Sequence, residues 1–387
     1  MSGTTKKIPK IQIQTTLTVL NYLSKDYYKY EDIYDGYYHL LKDILLYPDA
    51  WCYAVWSKRG PGKTYSALWL AYYSKFKFVY MKRTDDDVDL ILKSDINTSF
   101  DASPYAPLKR DKNIRVVGVK IANGIGSFNV ANEEGEPTEQ ILCYVLSFNK
   151  VQKFKGFNFD CEFIVFDEFI PQLGERIKRS EGENLLDLYQ TVSRDRLKRK
   201  KQPLKLILFA NAEEISTPVT NVLEIVDDMM ELNASGNSYM YLQDRQILLH
   251  HITDKEVPVK ESEKQGIYVG MKDTLWFKKS FGGEFTHNDF SNVLHWSIKR
   301  SRPVLHLIYK TYDYYIYHNE DKDRYYMTYT KGQAAEEFNL NQENAQKLFA
   351  EDWLIDLQDA CIHEKMKFQK YSMYDLIMNY RKFFNIT

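Results

Sequence analysis

The sequence predicts an α/β protein, with a mostly parallel β-sheet in its N-terminal part and a smaller α+β region towards its C-terminus. Two observations predict this fold class. Between about residues 50 and 210, short apolar runs alternate with segments of crossover length, which is typical of a parallel sheet covered by helices. From about residue 238 onward, apolar runs follow one another at turn-length intervals, which is typical of antiparallel strands.

The individual elements are predicted in chain order. The strands of the first part are expected at 51–56, 76–81, 114–122, 140–147, 161–167 and 204–210. Residues 213–235 have a helical and acidic composition, and further strands are expected at 240–252, 274–281 and in three consecutive runs within 304–330. Two helical stretches, 332–350 and 370–384, follow them.

We expect four segments, although no linker rich in Pro, Gly or Ser marks their boundaries. They are an N-terminal arm with a helical lead-in (1–45), the domain with the parallel sheet (46–235), a linker or lid region (236–285) and a C-terminal domain (286–387).

Composition excludes several classes of protein. Apolar residues make up 44% and charged residues 27% of the 387 residues, as in globular proteins. The formal net charge is −1, so a nucleic acid would have to be held by a local basic patch. There is no apolar run of membrane-spanning length, and "MSGTTKKIPKIQIQTT" has no apolar core of the signal-peptide type. The four cysteines are dispersed and lack zinc-ligand spacing, which suits a reducing cytosol.

The stretch "SKRGPGKTY", residues 57–65, is close to the phosphate-binding pattern G-x-x-x-x-G-K-[ST]. It lies between a predicted strand and a predicted helix, as that motif requires. Lys63 would reach the β- and γ-phosphates and Thr64 would ligate Mg²⁺, while Ser57 replaces the usual first glycine. The residues predicted to bind nucleotide here are Ser57, Lys58, Arg59, Gly60, Pro61, Gly62, Lys63, Thr64 and Tyr65.

A second motif, "FIVFDEF" at 163–169, is an apolar run that ends in two carboxylates. In P-loop ATPases the strand beside the phosphate loop ends in a carboxylate that holds Mg²⁺, the role predicted for Asp167. Glu168 is the predicted general base for the attacking water. The alternative is a buried strand that ends in a solvated acidic turn.

The third feature lies in "SRDRLKRKKQPLKLILFANAEE", residues 193–214. Arg194 and Arg196 are candidates for an arginine finger that is offered to a neighbouring subunit. Asn211 follows a strand expected next to that of Asp167, where it could sense the γ-phosphate. The basic run 198–201 is either a DNA contact or a solvated surface.

The motifs "RGPGKTY", "FIVFDEFI", "RDR" and "ANA", in this order and spacing, resemble the DNA-packaging (encapsidation) ATPases of small tailed podophages with protein-primed genomes. These belong to the additional-strand, catalytic-glutamate viral packaging motors. The resemblance is strong over about 45–215 and weaker to 330, and "YMKR" at 80–83 also matches. It implies a P-loop domain of the RecA/FtsK-like kind followed by a degenerate domain of the ribonuclease-H-like kind.

The same resemblance implies an activity and partners. The chain would form a homomeric ring, a pentamer, on the portal (connector) protein of a procapsid and would use ATP and Mg²⁺ to pull in double-stranded DNA. A packaging RNA is left open as a further partner, and no membrane is involved. The motor would work in the host cytoplasm, docked transiently on the procapsid, and would be absent from the mature virion.

Residue roles also follow from the matched motifs. Arg194 matches the finger that acts in trans, and Lys153 or Lys155 falls near a second trans-acting basic position, with Lys155 preferred. Lys82 and Arg83 are candidate DNA contacts. Basic and aromatic stretches such as "HWSIKRSR" at 295–302 suit contact with phosphate or portal, or else form a polar rim.

Two alternatives remain open. One is a terminase-like motor with an active C-terminal nuclease, for which Asp313, Asp356 and Asp359 are the available carboxylates. The other is a P-loop kinase or nucleotide-binding protein that has nothing to do with DNA.

Overall fold

A computed structural model describes residues 36–74, 76–95, 100–154, 160–171, 175, 177–196, 198–199, 201–258, 265–274, 277, 285 and 288–385. The chain divides into two compact units. The first takes the described residues of 1–176, 181–213 and 232–286, and the second those of 177–180, 214–231 and 287–387. No helix within the described residues has the length and apolar character needed to cross a membrane.

The strands within the described residues, sixteen in number, are labelled in chain order. They are β1 (Cys52–Ser57), β2 (Phe78–Lys82), β3 (Ser94–Asp95), β4 (Phe100–Asp101), β5 (Val116–Ala122), β6 (Ile125–Ala131), β7 (Pro137–Ser147), β8 (Phe163–Asp167), β9 (Lys205–Asn211), β10 (Tyr239–Leu242), β11 (Ile247–Ile252), β12 (Arg302–Tyr309), β13 (Tyr312–Asn319), β14 (Arg324–Thr328), β15 (Glu336–Asn339) and β16 (Met366–Phe368).

The helices are numbered in the same way. They are α1 (Leu40–Leu46), α2 (Lys63–Ser74), α3 (Asp85–Ile91), α4 (Ala106–Lys112), α5 (Glu181–Ser193), α6 (Pro218–Val222), α7 (Val226–Ser235), α8 (Ile267–Gly270), α9 (Glu343–Phe349), α10 (Ile355–Ile362), α11 (Tyr371–Met378) and α12 (Tyr380–Phe383). Short 3-10 turns occur at Phe148–Phe154 and Glu320–Lys322, and a π-helical turn, Ala350–Leu354, joins α9 to α10.

The first unit contains a nine-stranded sheet in the order β10-β11-β1-β9-β8-β2-β7-β6-β5. Its central strands, β11 through β7, are parallel. β1, β2, β8 and β9 consist largely of buried apolar residues, as is typical of the strands of a covered parallel sheet. The α/β class with a mostly parallel sheet is therefore confirmed. β9 lies between β1 and β8, so the strand that precedes Asn211 is the neighbour of the strand that ends in Asp167, as predicted.

The far edge of this sheet departs from the prediction. Residues 114–147 form an antiparallel meander, β5-β6-β7, rather than strands joined by helical crossovers, and β6 was not predicted. The signal was present in Asn123-Gly124, because an Asn-Gly pair between apolar runs is the strongest short-range hairpin signature. Gly124 has the positive φ, +71°, that such a turn requires.

The predicted linker or lid region, 236–285, contains β10 and β11, and β11 pairs with β1 inside the main sheet. That range thus contributes two strands to the first unit. The strand expected at 274–281 falls almost wholly outside the described residues.

The second unit is built on a five-stranded sheet in the order β15-β12-β13-β14-β16. The three consecutive antiparallel strands predicted within 304–330 are confirmed as β12, β13 and β14. The helix predicted at 332–350 is wrong in its first half, because residues 336–339 form β15, parallel to β12. Pairing with β12 overrides the helical composition of "QAAEEF", as tertiary context often does. α9, α10 and α11 pack their apolar residues against one face of the sheet.

Candidate nucleotide-binding site

The loop between β1 and α2 forms one wall of a cavity of about 630 Å³. Gly60 and Gly62 adopt φ values of +94° and +96°, which are strained for any residue with a side chain. α2 begins at Lys63, so the N-terminus of this helix forms part of the wall. Described residues that line the cavity are Tyr37, Tyr38, His39, Arg59, Gly60, Pro61, Gly62, Lys63, Thr64, Tyr65, Ser66, Trp69, Pro107, Arg110, Asp111, Lys112, Asp167, Glu168, Ala210 and Asn211.

Lys63 is buried at the base of the loop. Its Nζ donates to Ser57 Oγ at 2.5 Å and lies 3.5 Å from Asn211 Oδ1. Burial lowers the pKa of Lys63 to about 8, although Asp167 and Glu168 act in the opposite direction. A bound polyanion would raise this pKa again and hold the side chain in its ammonium form. The substituted residue Ser57 therefore does more than replace a glycine, because its hydroxyl is a hydrogen-bond acceptor for the lysine.

Asp167 ends β8 and gathers three donors on one carboxylate oxygen. Its Oδ2 accepts from Thr64 Oγ1 at 3.1 Å, from Tyr80 OH at 2.6 Å and from Lys82 Nζ at 3.1 Å. Burial alone would raise the pKa of Asp167, but Lys82, Tyr80 and Lys63 outweigh burial and hold the pKa below its usual value. The carboxylate is thus ionised, and with the Thr64 hydroxyl it forms the oxygen donor set that Mg²⁺ prefers.

Glu168 has a different environment from its neighbour. Its backbone has a φ of +62°, and its side chain is 45% exposed. Its Oε2 accepts from Lys82 Nζ at 3.2 Å, so Lys82 bridges both carboxylates. Burial would lower the pKa of Lys82, but Asp167 and Glu168 outweigh it and raise the pKa. One carboxylate is therefore buried beside the threonine, and the other is accessible to water.

Arg83 fixes the turn that carries Glu168. Its NH2 donates to the carbonyl oxygens of Glu168 and Phe169 at 2.9 and 3.0 Å. Its guanidinium also forms ion pairs with Glu181, the first residue of α5, and with Glu175. Arg83 is only 7% exposed. The prediction that Lys82 and Arg83 contact DNA does not fit these contacts. Lys82 pairs with the two carboxylates of the cavity, and Arg83 pairs with Glu175 and Glu181 outside it.

The other predicted site residues fall into three groups. Asn211, Arg59 and Tyr65 line the cavity as expected, whereas Ser57 lies buried behind it and Lys58 pairs with Asp254 at 2.7 Å. Lys155 lies outside the described residues.

The two candidate fingers differ sharply. Arg194 is exposed just beyond the end of α5 and is not among the described residues that line the cavity. Arg196 is 4% exposed and donates to the carbonyl oxygens of Gln202 and Cys161. The prediction that Arg196 could serve as a finger is therefore wrong, because its guanidinium holds the chain before β9.

Sequence reasoning missed the opposite wall of the cavity and the support behind the loop. The Tyr38 N–H donates to Pro61 O at 2.9 Å, and its hydroxyl donates to Asp43 Oδ2 at 2.9 Å. The imidazole of His250, on β11, lies between Asp43 and Glu256, with N–O distances of 2.7 and 2.8 Å. Burial would lower the pKa of His250, but these carboxylates raise it to about 9. No local pattern joins residues so distant in sequence, so no motif could have revealed this support.

No protein-family model matches the chain, and no curated protein sequence matches it. One similar solved structure is described as the bacteriophage Phi-29 viral genome packaging motor assembly. It matches this chain with a TM-score of 0.61 at 15% sequence identity, and the match covers 90% of this chain and 99% of the Phi-29 chain. The chain has the fold of that packaging-motor protein. The structure described as the Phi-28 gp11 DNA packaging motor matches with a TM-score of 0.55 at 15% identity, covering 91% and 99% of the two chains.

The agreement of folds extends across both units, since nine-tenths of this chain is covered. At 15% identity, the similarity concerns the path of the backbone. What the chain does must therefore be argued from its cavity.

Proposed function

We propose that this chain is an ATP-driven translocase that packages double-stranded DNA into a viral procapsid. One observation carries the proposal: a single cavity brings together Lys63, the Thr64–Asp167 pair and Glu168, from motifs about 100 residues apart. A loop lysine together with a helix N-terminus binds phosphates. Of the two carboxylates, the buried one is suited to hold a metal ion and the accessible one to accept a proton from water. The fold shared with packaging-motor proteins supports DNA as the cargo.

The residues have separate tasks in hydrolysis. The loop amides and Lys63 bind the β- and γ-phosphates, and Asn211 lies beside Lys63, where a γ-phosphate would end. Thr64 and Asp167 would hold Mg²⁺, which neutralises charge on the phosphates when bound. Glu168 accepts the proton of the attacking water. Because Lys82 Nζ occupies Glu168 Oε2, this contact has to open before that oxygen can accept a proton from water.

The ring belongs to the proposal as well. Arg194 is exposed beyond α5, outside the described lining of its own cavity, which suits a guanidinium offered to the next subunit. Lys155 is proposed as the second basic residue acting in trans. The ring, a pentamer, would dock on the portal protein of the procapsid in the host cytoplasm, with a packaging RNA as an open question.

The direct test is ATP hydrolysis with and without double-stranded DNA, across a range of protein concentrations. We expect hydrolysis that DNA stimulates and that rises more than linearly with protein concentration. Lys63→Ala should abolish it, whereas the matched control Lys120→Ala, an exposed lysine paired with Asp89, should not. Hydrolysis that ignores both DNA and protein concentration would contradict the proposal and favour a kinase or another nucleotide-binding protein.

Mixed rings test the site in trans. Arg194→Ala and Glu168→Gln subunits should each be inactive alone, but some interfaces in a mixture combine an intact Glu168 with an intact Arg194. Those interfaces should recover part of the activity, because a finger contributes about 10³–10⁵ in rate. If mixed rings form and no activity returns, Arg194 does not act in trans.

The nuclease alternative finds no support in the described part of the second unit. Asp313 lies on β13, and Asp356 and Asp359 lie on α10. Among the described residues, no group of three or more His, Cys, Asp or Glu is arranged to hold a metal ion. Magnesium-dependent nicking of DNA by the intact chain would revive this alternative.

A further inference from the structure

α10 in the second unit exposes large apolar side chains to solvent. Ile355 and Ile362, two helical turns apart, are 72% and 69% exposed. The opposite side of the same helix, with Leu357, Ala360 and Cys361, packs into the core of the unit. α10 is therefore apolar on two sides, and only one of them is covered within the described chain.

Acidic residues surround these two isoleucines. Glu351 and Asp352 precede Ile355 by one turn, and Asp359 lies between the two isoleucines at helical spacing. All three are exposed, as is Asp356. We call this surface, made of Ile355, Ile362 and these four carboxylates, the acidic face. Asp359 has a basic neighbour in His363, at 3.4 Å, but the four carboxylates together disfavour DNA and favour a partner that presents cations around apolar groups.

The same unit carries a surface of that complementary kind. Leu294 is 51% exposed, and Lys299 and Arg300 follow it with exposed side chains. The guanidinium of Arg324 lies 4.9 Å from the centre of the Trp296 ring. We call residues 294–300 with Arg324 the basic segment.

The acidic face and the basic segment lie on opposite sides of the five-stranded sheet. Met327 of β14 points into the core that α10 covers. Tyr326, the preceding residue, points to the other face, as neighbouring residues in a strand must, and its ring contacts His295. A single chain therefore cannot bring its own two surfaces together. Two copies can, and one of them then keeps a free basic segment while the other keeps a free acidic face.

We propose that the acidic face of one subunit binds the basic segment of the next copy of this chain. A contact between two different surfaces of one molecule is head-to-tail, and repeating it closes a ring when the rotation allows. The proposal assigns this contact within the ring of the proposed function and rests on that function for its context. It places one subunit contact in the second unit, separate from the Arg194 contact at the nucleotide cavity.

Charge reversal in the full chain tests the pairing. Asp352→Lys with Asp359→Lys, and separately Lys299→Glu with Arg300→Glu, should each raise the concentration for half-maximal association by about tenfold or more in sedimentation without nucleotide or DNA. Combining all four changes in one chain should restore association to within about threefold of the unaltered chain, because each interface is again complementary. A control reversal at the exposed turn residue Asp244 should leave association unchanged.

Site-directed crosslinking gives an independent measure. The four native cysteines are buried, so an Ile355→Cys, Leu294→Cys chain should oxidise through its new thiols and form a ladder of covalent oligomers. Pairing Ile355→Cys with Ile121→Cys, at an exposed residue of β5, is the matched control and should give no ladder.

Three results would overturn the inference: unchanged association in the single reversals, no rescue in the combined variant, or equal crosslinking in the control pair. Loss of DNA binding by Lys299→Glu with Arg300→Glu, without loss of association, would assign the basic segment to DNA instead. Neither sedimentation nor crosslinking uses ATP, so both can be interpreted even if the chain does not hydrolyse ATP. Conversely, a negative result in both would not contradict the proposed ATPase activity, which is tested separately.

Discussion

The buried imidazole of His250 makes a prediction that can be worked through in numbers. His250 is fully buried between Asp43 and Glu256, which raise its pKa from the ordinary 6.5 to about 9. A histidine that gains a proton on folding stabilises the native state most at pH values below 6.5, and this contribution is lost as the pH rises through 9. The interval between 6.5 and about 9 corresponds to roughly 3 kcal/mol of unfolding free energy.

The substitution His250→Gln isolates this contribution. Glutamine fills similar space but cannot become a cation, so two buried carboxylates lose their partner, and we expect about 3–5 kcal/mol of destabilisation near pH 6.5. The difference in stability between the parent and the variant should then shrink by roughly 3 kcal/mol as the pH approaches 9.5. Urea unfolding followed by circular dichroism measures the difference at each pH.

The quantity to measure is the difference in unfolding free energy between the parent and His250→Gln, rather than the pH dependence of the parent alone. Burial lowers the pKa of both Lys63 and Lys205 to about 8, which makes their contribution to stability rise between pH 8 and 10.5 and masks the histidine. His251→Gln, at a neighbouring imidazole that stacks on Trp56, is the control for the loss of a buried ring. A difference for His250→Gln that stays flat from pH 6.5 to 9.5 would refute a charged imidazole at this position.

Three further predictions concern the cavity. Glu168→Gln should bind ATP with near-normal affinity and lose about 10²-fold or more in hydrolysis, and equal turnover in the variant would remove Glu168 as the base. Ser57→Gly should change the rate of ATP hydrolysis by no more than about twofold. It should tighten nucleotide binding by roughly 3- to 10-fold, because Lys63 no longer has to break its hydrogen bond with the Ser57 hydroxyl to bind phosphate. Weaker nucleotide binding in a titration would contradict this. Arg83→Ala should destabilise the first unit by about 3–5 kcal/mol through the loss of its buried ion pair with Glu181. A changed salt dependence of DNA binding with an unchanged unfolding midpoint would instead return Arg83 to the DNA path.

The parts of the site that could be predicted are those in which chemistry dictates local spacing. A phosphate loop needs glycines, a lysine and a hydroxyl within eight residues, so Gly60 to Thr64 could be identified without a fold. Asp167 and Glu168 could be identified because they end an apolar strand. Arg196 could not be told from Arg194 by sequence, because burial alone separates them.

The parts that escaped prediction depend on tertiary contacts. Tyr80 and Lys82 alternate with core residues of β2, and nothing local shows that they reach Asp167 on β8. Likewise, the composition of residues 336–339 favours a helix, and only pairing with β12 makes them a strand. The Asn123-Gly124 hairpin is a different case, since its signal was local and was overlooked.

Arg83 has a mechanical consequence. It joins the turn of Glu168 to Glu181, at one end of α5, and Arg194 follows the other end of that helix. A helix of 13 residues is rigid and about 20 Å long. A change of tilt at its first residue therefore moves its last residue as well. In the proposed ring, where Arg194 would act on the next subunit, a displacement of Glu168 at one site would therefore shift the guanidinium that is presented to the adjoining site. The order in which the subunits hydrolyse ATP would then depend on Arg83 and α5, without a signal through the DNA.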